Sequence, residues 1–269
     1  MNIMYKLIFL GTSSGDTINK KGGSAGIVFQ VNDFQVLIDP GPSLLQKARE
    51  CGVKLENTNL ILVSHNHLTH CNDLNVLIET ITYRGIENKG VLIGDEATIY
   101  GTQFERPVLG KRQEKLLEKF IALKEKEKVT FGALRIEALK TKHCPMAIGF
   151  KIHTEKFILT YTGDTAYFRE MKNEYEDSNI MILNNVKPFN YKSEDNLTSE
   201  DTVNILKEVK PQFAIITHFG KLMQTINPIY EAREIQRKAD VQTVAAKDGF
   251  VIDPLSYSAA LRQKTLNLY

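Results

Sequence analysis

Short apolar runs that stop abruptly at a polar residue recur along the chain, the pattern of strands whose ends carry functional side chains. NLILVSH (59–65) runs into His65, LRIEALKTKH (134–143) alternates into His143, KFILTYTGD (156–164) runs into Asp164 and QFAIITH (212–218) runs into His218. FQVLIDPGP (34–42) and NIMILNNV (179–186) repeat the pattern with Asp39 and with Asn184 and Asn185, which are weaker candidates for direct ligation. The opening MNIMYKLIFLGTSSGD places one Lys before a short apolar run; it is too short for the hydrophobic part of a signal peptide and reads as a first strand. Helical spacing covers 42–50, 73–83, 111–128, 199–209 and 228–239. Thr198 or Ser199 suits the cap of the fourth helix, and Asn227-Pro228 opens the last. Strands alternating with helices, with no Pro- or Ser-rich linker and no change of composition, predict one α/β domain over 1–269 with a C-terminal tail from about 255.

Composition narrows the function classes. The 269 residues are 42% hydrophobic and 25% charged, which excludes disordered and collagen-like classes. Lys plus Arg total 34 against 32 Asp plus Glu, so RNA binding needs a local patch rather than a bulk field. The Lys-dense stretch is KRQEKLLEKFIALKEKEK (111–128), whose interleaved Glu residues fit a solvated helix face. Cys51, Cys71 and Cys144 form no CxxC pair, which suits a reducing cytoplasm; Cys71 and Cys144 each follow a candidate ligand histidine and read as buried, inert thiols rather than thiolate donors. No window reaches the roughly 18 apolar residues of a membrane span, so the expectation is a soluble, cytoplasmic protein with no membrane partner.

Five of the six histidines end an apolar run or lie in the turn after one. SHNHLTH (64–70) is the densest cluster, with His65, His67 and His70 within six residues. Three imidazoles at a strand-to-helix junction are a poor structural choice unless a polar ligand binds there, and imidazole is the commonest metal-ligating side chain near neutral pH. The sixth, His153 in KIHTEK, reads as a surface residue of a hairpin, and Tyr167 in GDTAYF as a core aromatic.

With His143, Asp164 and His218 following on three further strand ends, the chain resembles the metallo-β-lactamase-fold hydrolases over roughly residues 5–253. Their pattern is HxHxDH, then a distant His, an Asp and a last His. The segments FLGTSSGDTINKKGGSAGIVF, VLIDPG (36–41) and THFG (217–220) are most similar to the branch containing ribonuclease Z and related phosphodiesterases. The resemblance implies an αββα sandwich of two mixed β-sheets flanked by helices, with the site at one edge. It also implies that His65, His67 and His143 bind one metal, that His70 and His218 bind a second, and that Asp164 bridges them. Such donors suit one or two Zn²⁺ ions, with Fe or Mn admitted. Two ions can share a hydroxide and stabilise both the attacking and the leaving oxygen. By the same resemblance Asp39 accepts a hydrogen bond from a ligand histidine and fixes its tautomer.

Two departures stand out. The family Asp before the third His is Thr69, so the second metal loses an anionic donor; Asp73, a turn further on, is better placed to orient a ligand or cap a helix than to replace that charge. In DNLTSEDT (195–202) the ribonuclease Z histidine is Asn196, which donates a hydrogen bond but transfers no proton at neutral pH. The expected function is a metal-dependent hydrolase of a phosphodiester, with a small-molecule or nucleotide substrate and RNA admitted. The alternatives are a lactone, ester or thioester hydrolase, and a metal-binding member without catalysis. A homo-oligomer is compatible with the sequence.

Overall fold

The computed structural model describes residues 3–15 and 23–257, so positions 16–22 of the opening motif and the tail beyond 257 lie outside the described residues. The chain divides into two compact units, Met1–Lys124 with Lys247–Ile252 and Glu125–Ala246 with Asp253–Tyr269. Each carries a mixed β-sheet flanked by helices. Among the described residues no helix is long and apolar enough to cross a membrane.

The first unit runs β1 (Tyr5–Phe9), β2 (Ile27–Val31), β3 (Phe34–Ile38), α1 (Leu44–Glu50), β4 (Thr58–Val63), α2 (Leu68–Cys71), α3 (Leu74–Ile81), β5 (Val91–Gly94), α4 (Glu96–Tyr100), α5 (Lys111–Glu114) and β6 (Lys119–Ala122). A late strand, Phe250–Ile252, pairs antiparallel with β1 at the sheet edge, and the order then follows β1 to β6. Strands β1, β2 and β3 pair antiparallel with one another, whereas β3, β4, β5 and β6 run parallel. Parallel strands are covered on both faces, which is why Leu60, Ile61, Leu62 and Val63 are all fully buried and the run is continuously apolar. Parallel pairing also sets the ends of β3, β4 and β5 on one rim, where Asp39, Ser64-His65 and Asp95 follow directly.

The second unit contains β7 (Lys128–Phe131), β8 (Leu134–Lys140), β9 (Ile148–His153), β10 (Ile158–Tyr161), α6 (Met171–Tyr175), β11 (Ile180–Lys187), β12 (Leu197–Thr198), α7 (Ser199–Val209), β13 (Phe213–Thr217), α8 (Lys221–Ile226), α9 (Pro228–Ala239) and β14 (Thr243–Ala245). Its sheet has the order β14-β13-β11-β10-β9-β8-β7, with β12 paired to β11. The β10, β11, β13 and β14 strands are parallel; β8 points the same way, because it is antiparallel to β9 and β9 to β10. His143, Asp164 and His218 therefore follow strands that end on one rim of this sheet. Helix α7 starts where the sequence signals it, in a capping box: Thr198 accepts from the Asp201 amide and the Asp201 carboxylate accepts from the Thr198 amide. Pro228 opens α9 with the Asn227 side chain accepting from the Ile229 amide.

The helix predicted over 111–128 is corrected. Only Lys111–Glu114 is helical; Lys119–Ala122 pairs parallel with β5, and β7 begins at Lys128. The Glu/Lys interleaving has helical spacing, but Leu117 and Leu123 are buried on either side of the strand and the open amides of β5 need a partner. Tertiary pairing overrides local propensity here.

Candidate metal-ligand clusters

In the first unit Asp39 organises the rim. It follows β3 in a left-handed conformation, φ 52°, a strained setting for a non-glycine residue. Its Oδ1 accepts from the Ser64 amide at 2.7 Å, and its Oδ2 accepts from the Ser64 hydroxyl and from His70 Nδ1, each at 2.8 Å. Because the Ser64 hydroxyl donates to Asp39, its lone pair accepts from His65 Nδ1, 3.0 Å away. Both imidazoles are thereby held with Nδ1 protonated and Nε2 carrying the lone pair. His65 Nε2 lies 3.0 Å from His67 Nδ1, close to the separation of two nitrogens on one tetrahedral ion. The rings of His65 and His70 are 4.2 Å apart. His65 and His70 are buried and His67 is exposed.

Backbone approach fixes the loop behind this cluster. A Cβ on Gly41 would meet the Ser24 carbonyl oxygen at 1.9 Å and that of Thr69 at 2.0 Å, so glycine alone admits the contact. The Ser24 hydroxyl donates to the same Thr69 carbonyl. Thr69 is buried, and Asp73 Oδ2 accepts from the Leu44 amide at 2.9 Å, serving the start of α1. Cys71 is buried with its thiol on the carbonyls of Asn66 and His67, and burial pushes its pKa up to about 12. It is no nucleophile.

The second unit assembles a matching set. His218 Nε2 is 3.4 Å and His143 Nε2 is 3.9 Å from Asp164 Oδ2. His143 Nδ1 donates to the Asp195 carbonyl at 2.7 Å, leaving Nε2 with the lone pair. Asp164 Oδ1 accepts from Asn184 Nδ2 at 2.7 Å, and the same amide lies 3.1 Å from the Tyr161 hydroxyl. Asn184 thus orients the carboxylate. His218, like Asp39, has a left-handed backbone, φ 59°. Imidazoles tied through one nitrogen at His65, His70 and His143, with the Asp164 carboxylate beside His143 and His218, fit a divalent metal by donor chemistry.

Asn196 follows Asp195 in the same loop, and its amide donates to the Ser193 hydroxyl at 3.1 Å. Tyr167 is partly buried against the core of its unit. His153 ends β9 in the β9–β10 hairpin, partly exposed, and sits between Arg135 at 3.0 Å and Glu137 at 3.5 Å because its strand register sets it opposite Arg135.

Ser64, the Asp195 carbonyl and Asp95 escaped the sequence reading. Asp95 ends VLIGD (91–95), another apolar run closing on a polar residue, so the pattern could have found it. It caps α4 by accepting from the Ala97 and Thr98 amides. Burial, more than those amides can offset, raises its pKa from 3.8 to about 6. A carboxyl raised on folding destabilises the native state above about pH 6 and ceases to do so below its unfolded value. Asp95→Asn keeps the cap and removes the charge. It should therefore gain on the order of 2–3 kcal/mol over wild type at pH 7.5 and about 0.5 kcal/mol or less at pH 4 and below. Denaturant melts at both pH values check this, and a constant difference would refute it.

A family profile described as a β-lactamase superfamily domain matches residues 35–219. An uncharacterised protein of Methanocaldococcus jannaschii is 27% identical over 256 residues, covering 93% of this chain and 96% of that one. Ribonuclease Z of Sulfolobus acidocaldarius is 23% identical over 301 residues, covering 94% and 98%. The probable metallo-hydrolase YhfI of Bacillus subtilis is 26% identical over 234 residues, covering 85% and 91%. The crystal structure of YhfI, described as a metallo-β-lactamase-fold protein, superposes with a TM-score of 0.79 over 93% of this chain and 99% of that one, at 22% identity.

Proposed function

The chain belongs to the β-lactamase superfamily, and from that membership we propose that it is a metal-dependent phosphodiesterase. Its proposed ligands are His65, His67 and His70 in the first unit and His143, Asp164 and His218 in the second. The observation that carries this reading is the tying of the second imidazole nitrogen: His70 to Asp39, His65 to Ser64 and His143 to the Asp195 carbonyl. That arrangement presents Nε2 lone pairs, which is of no use to a hydrophobic core and is what a metal requires.

A divalent ion, Zn²⁺ first and Fe or Mn second, supplies Lewis acidity toward water and a phosphoryl oxygen. The chain's own residues do the rest. Asn184 holds Asp164 in one orientation, Asp39 and Ser64 hold the imidazoles, and Asn196 offers a neutral donor to a phosphate oxygen where ribonuclease Z has a histidine. The choice of a phosphodiester is supported by the ribonuclease Z relative; the proposed substrate is a small molecule or nucleotide, with RNA admitted. Thr69 and Asn196 motivate a second reading, a metal-binding protein without turnover.

Hydrolysis of bis(p-nitrophenyl) phosphate and of a lactone by protein of measured metal content separates the readings. Turnover of the phosphodiester, lost with a chelator and restored by Zn²⁺ or Mn²⁺, is expected. Turnover of the lactone alone would replace the substrate class, and metal-loaded protein inert on both would leave the non-catalytic reading standing.

A further inference from the structure

Phe104 is 87% exposed, yet the turn beneath it is closely fixed. Thr102 Oγ1 accepts from the Phe104 and Glu105 amides at 3.1 and 3.0 Å, and the Thr102 amide donates to the Glu105 carbonyl at 2.8 Å. Gly101, which ends α4 at φ +77°, lets the turn close: a Cβ there would lie 2.6 Å from the Glu105 carbonyl oxygen and 2.8 Å from the Pro107 nitrogen. The turn is then fastened to the histidine cluster. Glu105 Oε2 accepts from Asn66 Nδ2 at 2.6 Å, and Asn66 stands between His65 and His67 in the chain.

An ordered turn that holds a benzyl ring in water forgoes the burial that the ring would otherwise contribute to the fold. The ring also sits one residue from the carboxylate that clamps the ligand-bearing segment. We propose that Phe104 is a stacking platform for the nucleobase of the substrate, an assignment that rests on the phosphodiesterase reading and narrows its substrate to a nucleotide ester. An aromatic face suits this task because every base presents a π-face, so stacking grips the substrate without selecting one sequence.

The chain contains no tryptophan, so Phe104→Trp installs a single indole at the proposed platform. Its fluorescence, followed on titration with adenosine 5′-monophosphate and with ribose 5-phosphate, reads stacking without any need for turnover. Saturable quenching by the nucleotide and none by the sugar phosphate is expected. In parallel, Phe104→Ala should raise KM for a dinucleoside monophosphate about 5- to 20-fold, with the loss falling on KM rather than kcat, and Phe104→Tyr should restore it. Quenching in a protein that hydrolyses no phosphodiester would keep the platform and overturn the activity. An active enzyme whose indole ignores the nucleotide, or responds equally to the sugar phosphate, would overturn the platform. So would a change of oligomeric state in Phe104→Ala by light scattering, since the ring would then be a contact for a second copy.

Discussion

Asp39→Asn is expected to leave the fold standing and to weaken metal binding about 10- to 100-fold. The asparagine carbonyl still accepts from the Ser64 amide, which in wild type donates to Asp39 Oδ1. Its amide group then faces the Ser64 hydroxyl and His70 Nδ1, where a carboxylate oxygen accepts from both in the native protein. A donor opposite Nδ1 selects the other tautomer, and the His70 lone pair turns away from the position proposed for the metal. Through Ser64 the same change reaches His65, whose Nδ1 proton depends on a hydroxyl that now has no acceptor. Asp39→Ala removes the acceptor contacts to the Ser64 amide, the Ser64 hydroxyl and His70 Nδ1 from a residue 4% exposed, and should cost at least about 3 kcal/mol, or roughly 6–12 °C in Tm. Elemental analysis after dialysis against a graded chelator series checks the first result and a thermal melt the second. Full metal retention in Asp39→Asn would remove Asp39 from any role in setting the tautomers.

These residues differ in how legible they were. His65, His143, Asp164 and His218 announce themselves because a buried strand is nearly all apolar, so the first polar side chain after it stands out. The same logic marks Asp39 and, in retrospect, Asp95. The family resemblance then ordered the proposed ligands, and the two mixed sheets with flanking helices follow from it. Other parts left weaker traces. Asn184 lies at a strand end, but only the direction of its amide makes it the support of Asp164. The His143 partner is a backbone carbonyl, which any residue at 195 would supply, so no side chain records it. Ser64 is one polar letter before a more conspicuous histidine. The stretch 111–128 misled for a physical reason: charge spacing describes a helix surface, whereas the few apolar residues between the charges decide that the chain closes a sheet edge instead.

Asp164→Asn should show the largest loss of function, at least about 10³-fold in kcat on the phosphodiester, because no other carboxylate is proposed as a ligand. Its stability signature is as informative as its rate. Asp164 is 6% exposed, so an ionised carboxylate there carries a desolvation cost. Asparagine removes that cost, and the metal-free variant should melt no lower than the metal-free wild type. A metal that binds the native state alone stabilises it by RT ln(1 + [L]/Kd), so saturating Zn²⁺ should raise the wild-type Tm and leave the variant nearly unmoved. The crossing of the two orders, with the variant equal or ahead without metal and behind with it, distinguishes a ligand from a structural acid. A structural acid would lower Tm equally in both conditions, and that result would remove Asp164 from the proposed ligand set.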